Sequence, residues 1–298
     1  MNRHFLARLI IFVHLLFFTG SIVNLEAKEN AIQAKHVFVI GFDGLGAYAF
    51  KSGKLNMPML DTVIREGSSF FDALGVLPSY SVPNWMSAWM GAGPEVHEYR
   101  DNHIYPEELT FPSIFSILRE QRPDCKMAFF YEWEPWTDFY HKVFDKNQII
   151  YYNFDKEVRE KIVPYIETEK PNFTLISFDE PDAVGHDMGH DTPEYYEKLN
   201  SDMDNAFGLI LEAIKNAGIW DDSVIIVLGD HGGIDFGHGG DTIQEREIPV
   251  IIMGKNIRSG YTMPGPVNIY DIAPTIAHIF NLITPPVWTG KVLSVFID

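Results

Sequence analysis

Short apolar runs alternate along the chain with longer stretches in which apolar residues recur at helical spacing. The runs are rich in β-branched and aromatic residues, which is typical of strands buried on both faces of a parallel sheet. The predicted strands are His36–Phe42, Ser68–Val76, Lys126–Tyr131, Asn172–Phe178, Val224–Leu228 and Ile248–Met253. The predicted helices cover residues 57–67, 82–93, 111–120, 156–169, 192–217 and 270–280. This alternation predicts an α/β fold, with a doubly wound, mostly parallel sheet and helices on both faces.

The first 27 residues differ from the rest of the chain. Arg3 and Arg8 precede the apolar run LIIFVHLLFF, and small or polar residues lead to Ala27. This layout is typical of a signal peptide. An uncleaved membrane anchor is the second interpretation, because the run is short for a bilayer and His14 interrupts it. We therefore expect residues 28–298 to form a single domain with a minimal cap, in a secreted or periplasmic protein without stable membrane association.

The composition is that of an ordinary globular protein, with 46% hydrophobic and 21% charged residues, but the charge is strongly negative. The predicted signal peptide carries two arginines and one glutamate, so 21 basic and 40 acidic residues remain after it, a net charge of −19. A surface this acidic repels nucleic acid and anionic lipid, so neither is an expected partner. A small anionic substrate is compatible with it if metal ions reverse the field locally. Cys125 is the only cysteine, which excludes a disulfide framework.

The stretch Val224–Asp241 carries the densest set of side chains suited to metal binding. The apolar run VIIVL leads through a glycine into Asp230 and His231, and His238 follows seven residues after His231 in a glycine-rich segment. The glycines allow sharp turns that bring a second imidazole back toward the first. An ordinary polar loop after a strand is the alternative interpretation for an Asp-His pair taken alone.

Other predicted strands lead into residues of the same kind. Asp43 directly follows the first strand. Asp182 and His186 follow the fourth, and in a helical turn their four-residue spacing puts both on one face. Ser81 lies after the second strand, and Pro83 marks the start of a helix whose free backbone N–H groups favour an anion. An N-cap role is the alternative for a serine at this position.

The carboxyl ends of parallel strands meet at one edge of a sheet, where open α/β sheets bind their ligands. We therefore expect all of these side chains to converge there. Carboxylates and imidazoles bind zinc well, and Mn²⁺ suits the same donors. Two ions about 3.5–4 Å apart can hold the attacking and leaving oxygens of an in-line displacement. The pattern predicts a site for two metal ions.

With these motifs in this order, the sequence resembles the alkaline phosphatase superfamily, and within it the type I phosphodiesterase/nucleotide pyrophosphatase branch. The resemblance covers most of the chain after the predicted signal peptide, from VIGFDG through SVPNW and EPDAVGH to GDHGG and IYDIAPTIA. The branch's Thr or Ser followed by x-Pro-Asn is matched by residues 81–84, its Asp-x-x-x-His pair by residues 182–186, and its Asp-His-Gly by residues 230–232. The resemblance implies an alkaline-phosphatase-like fold.

The resemblance also implies two zinc ions. The implied ligands are Asp43, Ser81, Asp230 and His231 for one ion, and Asp182, His186 and a third histidine for the other. We predict His238 as the third histidine, because the glycines around it fit a ligand loop. His190 and His278 are the alternatives, although His278 lies in an apolar helix and is expected in the core.

The reaction implied by the resemblance is hydrolysis of a small phosphodiester or nucleotide pyrophosphate. Ser81 would form a phospho-enzyme intermediate, and Asn84 and the backbone N–H after Ser81 would bind a phosphate oxygen. Trp85 stands where a sulfatase has an arginine, which argues against a sulfatase. A phosphomonoesterase needs an arginine near the nucleophile, and Arg100 is the nearest candidate. A phosphomonoesterase and a non-catalytic binding protein that retains the metals are the alternatives.

Substrate specificity is expected to come from Glu95–Tyr105 and from the aromatic run YEWEPWTDFY. In one interpretation Trp133 or Trp136 stacks on a nucleotide base. In the other, the run is an aromatic face packed against the core.

Overall fold

The computed structural model describes residues 33–103, 111–137, 149–151 and 158–297, with the backbone alone at 149–151. The predicted signal peptide lies outside these residues, so it stays a prediction. Within the described ranges, no helix combines the length and the apolar character that crossing a membrane requires.

A sheet of eight strands lies at the centre of the described structure. Its strands are β1 (His36–Phe42), β2 (Ser68–Leu74), β3 (Met127–Tyr131), β4 (Ile149–Tyr151), β5 (Phe173–Phe178), β6 (Ser223–Gly229), β7 (Glu247–Gly254) and β8 (Tyr261–Thr262). In space they follow the order β4-β3-β5-β1-β6-β7-β2-β8. Neighbouring strands are parallel except at β7, which is antiparallel to both β6 and β2. The predicted mostly parallel sheet is confirmed.

Helices connect the strands. They are α1 (Tyr48–Lys51), α2 (Pro58–Glu66), α3 (Ser81–Met90), α4 (Pro94–His97), α5 (Ile114–Gln121), α6 (Val163–Glu169), α7 (Asp182–Met188), α8 (Pro193–Lys198), α9 (Asp204–Asn216), α10 (Ile243–Arg246) and α11 (Ile272–Ile279). Single π-helical turns at Val158–Ile162 and Leu199–Met203 lead into α6 and α9, and 3₁₀ turns cover Trp220–Asp222 and Ile269–Asp271.

Both faces of the sheet are buried. Along β1, Val37 and Val39 belong to one hydrophobic cluster, whereas Phe38 and Ile40 belong to another. Helices α3, α5 and α11 contribute to the first cluster, and α2, α6, α8 and α9 contribute to the second. Burial on both sides explains why β1 is continuously apolar instead of alternating. The predicted helices on both faces are confirmed.

The helix predicted over residues 192–217 is interrupted. Thr192 caps α8 with its side chain, but a π-helical turn separates α8 from α9. Immediately after that turn, the carboxylate of Asp204 accepts two backbone N–H groups at the start of α2, from Met59 and Leu60, at 3.1 Å. The helical periodicity of residues 192–217 cannot predict the hydrogen bond of Asp204, because its partner Met59 lies 145 positions away in the sequence.

Candidate metal centre

The two central strands place carboxylate and imidazole side chains next to each other. β1 pairs in parallel with β6, in a register that sets Phe42 beside Gly229. The residues that follow, Asp43 and Asp230, therefore leave the sheet as neighbours, and His231 comes directly after Asp230. A Cβ at Gly229 would overlap the backbone that follows β1, so this close approach needs glycine.

Asp43, Asp230 and His231 form, with Ser81, what we call the inner cluster. Asp43 is 2% exposed, and Asp230 and His231 are 0% exposed. Nε2 of His231 lies 3.3 Å from Oδ1 of Asp43 and 3.4 Å from Oδ2 of Asp230. Oγ of Ser81 lies 3.3 Å from Oδ1 of Asp43 and 3.1 Å from Nε2 of His231. The four residues predicted for the first ion thus meet in one place.

Hydrogen bonds to the backbone orient the inner cluster. Nδ1 of His231 lies 2.9 Å from the carbonyl oxygen of Gly232, which can only accept, so Nδ1 carries the proton in the neutral ring. Nε2 then presents a lone pair to two carboxylates. Oδ1 of Asp230 accepts the N–H groups of Gly44 and His231, whereas its Oδ2 is buried with no hydrogen-bond partner in the described part of the chain. A cation between these groups would satisfy all of them.

The charges of the inner cluster shift each other's pKa values. Burial, together with the nearby carboxylate of Asp43, raises the pKa of Asp230 well above its usual range. Burial opposes protonation of His231, but the carboxylates of Asp230 and Asp43 outweigh it and raise the pKa of His231 to about 10. Both shifts come from negative charge held away from water, which a divalent cation would neutralise.

Ser81 is the first residue of α3, at the edge of the inner cluster. The next backbone N–H, that of Val82, donates to Oδ1 of Asn102 at 3.1 Å. This contact brings the side-chain amide of Asn102 to the backbone N–H that follows Ser81. Asn102 lies within Glu95–Tyr105, from which substrate specificity was expected, but no local pattern marks its contact with Val82, because the two positions are 20 residues apart.

Two further residues of α3 support the site from within the protein. Asn84 is fully buried; its Oδ1 accepts the N–H of Val76 at 2.7 Å and its Nδ2 donates to the carbonyl of Tyr80 at 2.9 Å. The amide of Asn84 therefore ties together the loop that precedes α3. Trp85 packs against β1, and its Nε1 donates to Oδ2 of Asp43 at 3.1 Å.

Asp182, His186 and His238 form what we call the outer cluster. Helix α7 begins at Asp182 and places His186 one turn later, with Oδ2 and Nε2 3.1 Å apart. His238 approaches from the glycine-rich loop after β6. Its Nε2 lies 3.2 Å from Nε2 of His186 and 3.7 Å from Oδ2 of Asp182. The structure thus groups His238 with the pair from α7, as the sequence predicted.

Carbonyl oxygens orient both imidazoles of the outer cluster. Nδ1 of His186 lies 2.9 Å from the carbonyl of Phe236, and Nδ1 of His238 lies 2.9 Å from that of Ser79. Because a carbonyl only accepts, each neutral ring carries its proton on Nδ1 and turns the lone pair of Nε2 toward the other ring. The hydrogen bond with Asp182 raises the pKa of His186 to about 9. Without a proton or a metal ion between them, these two lone pairs would repel each other.

The two clusters lie against each other. The rings of His231 and His238 stack with centroids 3.8 Å apart and planes 15° apart. The backbone N–H of Asp182 donates to the carbonyl of Asp43 at 3.0 Å. Gly44 permits this approach, since its φ is +71° and a Cβ there would lie 2.7 Å from the side chain of Asp182. The two clusters therefore form one continuous group of carboxylate and imidazole side chains.

The alternatives for the third histidine do not join either cluster directly. His278 is exposed and packs on Phe296, so its interpretation as a core residue is wrong. His190 is buried behind Asp182, and its Nε2 lies 3.7 Å from Oδ1 of that residue.

The aromatic run that follows β3 contributes to the core. Trp136 is 1% exposed and packs edge to face on Trp133, whose partly buried ring lies against the same hydrophobic cluster. For Trp136 the interpretation as core packing is confirmed. Residues 138–140 of this run lie outside the described ranges. Arg100, the arginine nearest Ser81 in sequence, is exposed.

The donor atoms of both clusters fit divalent metal ions. In each, one carboxylate oxygen or imidazole nitrogen from each of three ligand-type residues lies within 4.8 Å of the others. Zinc and manganese bind these donors. The buried oxygens without partners, Oδ2 of Asp230 and Oδ1 of Asp182, and the facing imidazole lone pairs are the features that a cation would stabilise.

A mostly parallel α/β sheet with two adjoining carboxylate–imidazole clusters at the carboxyl ends of its strands is the architecture that the resemblance to the alkaline phosphatase superfamily implies. The sequence model of one family, type I phosphodiesterase/nucleotide pyrophosphatase, matches residues 37–141 and 119–244. These ranges together make up more than half of the chain. The chain therefore belongs to the type I phosphodiesterase/nucleotide pyrophosphatase family.

Individual relatives agree with this assignment. Human bis(5'-adenosyl)-triphosphatase ENPP4 is 22% identical over 243 residues, which are 73% of this chain and 52% of the relative. Mouse ectonucleotide pyrophosphatase/phosphodiesterase family member 3 is 25% identical over 219 residues, 66% of this chain and 24% of the relative. The chain thus spans about half of the first relative and a quarter of the second. The structure of an inactive variant of murine ectonucleotide pyrophosphatase/phosphodiesterase 5 in complex with AMP shares the fold, with a TM-score of 0.71 at 17% identity over 87% of this chain and 100% of that one.

Proposed function

We propose that this protein hydrolyses phosphodiester or nucleotide pyrophosphate bonds through a covalent intermediate on Ser81. The position of Ser81 carries the proposal: its Oγ lies 3.3 Å from Asp43 and 3.1 Å from His231, at the start of a ten-residue helix. A hydroxyl among metal-ligand groups and at a helix N-terminus is arranged to attack the phosphorus of an anion.

The inner cluster would hold one divalent ion and the outer cluster a second, with zinc as the first choice and manganese as the other. Ions in these positions would lower the pKa of a hydroxyl and neutralise charge on the attacking and leaving oxygens. This chain supplies the ligands from strand ends, from α7 and from the glycine-rich loop, so both clusters depend on the fold of the sheet.

The side chains and backbone around Ser81 carry the remaining roles. Ser81 would form an ester bond to phosphorus while the bond to the leaving oxygen breaks, and water would later hydrolyse that ester. We assign a hydrogen bond to a non-bridging phosphate oxygen to the Nδ2–H₂ of Asn102. The N–H of Val82, which the resemblance implied for this role, donates to Oδ1 of Asn102 and so holds that side chain in place. The resemblance implied that Asn84 also binds phosphate, but its side-chain amide is hydrogen-bonded to the loop that precedes α3. We propose that Asn84 positions Ser81 instead.

The donors beside Ser81 favour a diester over a monoester. The non-bridging oxygens of a diester carry one negative charge, whereas those of a monoester carry two near neutral pH. The amide of Asn102 is neutral, and α3 contains no lysine or arginine. The human relative is a bis(5'-adenosyl)-triphosphatase and the murine structure contains AMP, which supports a nucleotide as the substrate here. We also propose a secreted or periplasmic location, on the basis of residues 1–27.

The first test is hydrolysis of bis-p-nitrophenyl phosphate and p-nitrophenyl phosphate by the purified protein, together with its metal content. We expect two ions per chain and a preference for the diester. Ser81→Ala should lower turnover on the order of 10³-fold or more while both ions are retained. Unchanged turnover would refute the nucleophile, a strong monoester preference would favour the phosphomonoesterase, and bound metal without any turnover would favour the binding protein.

Ser87→Ala is the matched control for this test. Ser87 lies on the same helix, but its hydroxyl donates to the carbonyl of Pro83 and contacts His97 instead of either cluster. Its removal should leave metal content and the diester preference unchanged.

A further inference from the structure

His190 is a buried histidine beside the outer cluster that has no role in the reaction proposed above. Its side chain is 0% exposed, and its backbone N–H donates to the carbonyl of Asp235 at 2.7 Å. It lies one helical turn beyond His186 in sequence, just after the end of α7. Its Nε2 lies 3.7 Å from Oδ1 of Asp182.

The ring of His190 and the oxygen that it approaches are both without partners. Neither Nδ1 nor Nε2 of His190 has a hydrogen-bond partner within the described ranges, and the same is true of Oδ1 of Asp182. Buried polar atoms are almost always paired, because an unpaired one loses its hydration without compensation. The His190 ring and Oδ1 of Asp182, which lie 3.7 Å apart, could therefore satisfy each other with one hydrogen bond.

The surrounding backbone provides space for this imidazole. A Cβ at Gly185, on α7, would overlap the His190 ring, and so would a Cβ at Gly233, in the loop after β6. The ring of Tyr195 lies on another side, with its centroid 5.9 Å away. An imidazole held between two glycines that cannot carry a side chain has a defined position next to Asp182.

We propose that His190 is the positioning residue of the outer cluster, and that its Nε2–H donates to Oδ1 of Asp182 when the cluster binds its metal ion. This inference rests on the proposed function, since it assumes an ion between Asp182, His186 and His238. The hydrogen bond would fix the plane of the carboxylate and leave Oδ2, which already lies 3.1 Å from Nε2 of His186, to the ion. A shift of less than about 1 Å brings the 3.7 Å separation to ordinary hydrogen-bond length.

The test measures metal affinity, so it does not depend on the reaction. Metal-free wild-type protein, His190→Leu and His190→Gln are titrated with Zn²⁺ in competition with a chromophoric chelator, and His186→Ala identifies which of the two affinities belongs to the outer cluster. His190→Leu should weaken the outer affinity roughly 10–100-fold and leave the inner one unchanged. His190→Gln, whose side-chain N–H₂ can reach the same carboxylate oxygen, should restore most of the loss.

Unfolding of the metal-free proteins separates this role from simple packing. His190→Leu removes two unpaired nitrogen atoms, so the metal-free variant should unfold at the same temperature as the wild type or at a higher one. The matched control is His97→Leu. His97 is equally buried, but its ring nitrogens bond to Ser87 and to the N–H of Tyr99, so its loss should lower stability without changing either affinity.

Three outcomes would overturn the assignment of His190. The first is an unchanged Zn²⁺ affinity of the outer cluster in His190→Leu. The second is an equal loss of that affinity in His190→Leu and His190→Gln, which would identify the ring as a direct ligand. The third is a loss of Zn²⁺ affinity at the inner cluster as large as the loss at the outer cluster. The proposed function can fail separately. If the wild type binds two ions but hydrolyses no phosphate ester, the measured Zn²⁺ affinities still decide the role of His190. A wild type that binds no ion would overturn both the proposed function and the role of His190.

Discussion

The inner and outer clusters contain the same kinds of side chain but are built differently. The inner cluster is formed at the ends of β1 and β6, where the register of a parallel pair sets Asp43 beside Asp230, and its ligand-type residues are almost fully buried. The outer cluster combines one turn of α7 with a glycine-rich loop, and the side chain of His186 is 47% exposed. The first cluster is therefore held by the sheet, and the second by a helical turn and a loop that leave one ligand-type side chain open to solvent.

The orienting hydrogen bonds show the same contrast. In the inner cluster, two backbone N–H groups next to the sheet hold Asp230, and Trp85 of α3 holds Asp43. In the outer cluster, the carbonyls that orient His186 and His238 belong to the loops at Phe236 and Ser79. We infer that the inner cluster is ready to bind its ion in the folded chain, whereas the outer one completes its geometry when the ion arrives.

The largest effect is expected from Asp230→Asn. Asparagine keeps the Oδ1 acceptor for the N–H groups of Gly44 and His231 but removes a negative charge that the inner ion needs. We expect the metal content to fall from two ions to one and diester turnover to fall on the order of 10³-fold or more. Metal analysis and initial rates measure the two effects.

Asp204→Asn is the control for this prediction. Asp204 is also buried and also accepts backbone N–H groups, but these belong to the start of α2. Its substitution should change stability and leave metal content alone. If Asp230→Asn retained both ions and the turnover of the wild type, the inner cluster would not be a metal site.

A smaller effect is expected in the order of metal loss. A chelator should remove the outer ion first, because the side chain of His186 is exposed to solvent whereas the ligand-type residues of the inner cluster are buried. Every 1.4 kcal/mol of extra opening free energy at the inner cluster slows release about tenfold, so two separate phases are expected. Release of metal is followed with a chromophoric chelator, and His186→Ala should eliminate the fast phase. One phase for both ions would mean that the clusters open together.

The sequence predicts the inner cluster better than the outer one for a physical reason. Asp43 and Asp230 follow continuous apolar strands, and parallel strands bring their carboxyl ends together whatever the rest of the chain does. His238 could be chosen only by comparing the surroundings of several histidines, since a loop has no periodicity from which its course can be read.

The remaining differences come from contacts that no local pattern contains. The antiparallel direction of β7 was not predicted, because a buried apolar run has the same composition in either direction. Asn84 was expected to bind phosphate, but the fold uses its amide to hold the loop before α3. The contact of Asn102 with the N–H of Val82 is likewise visible only after folding.

The smallest effect is expected from Trp85→Phe, which tests how far the inner cluster depends on its support. Phenylalanine keeps an aromatic ring against β1 and near Trp89 but removes the Nε1–H that donates to Oδ2 of Asp43. The carboxylate of Asp43 then loses its orienting bond, so inner affinity should fall about tenfold, with outer affinity unchanged. The measurement is the same competition titration with Zn²⁺.

Trp89→Phe distinguishes this hydrogen bond from general packing. Trp89 stacks on Trp85 with ring centroids 5.5 Å apart, is equally buried, and its Nε1 has no hydrogen-bond partner among the residues that the structure describes. Both substitutions remove a similar volume from the same helix, but only Trp85→Phe removes a hydrogen bond to a residue of the inner cluster. If Trp85→Phe and Trp89→Phe lowered the Zn²⁺ affinity of the inner cluster equally, packing under α3, and not the hydrogen bond to Asp43, would maintain the geometry of that cluster.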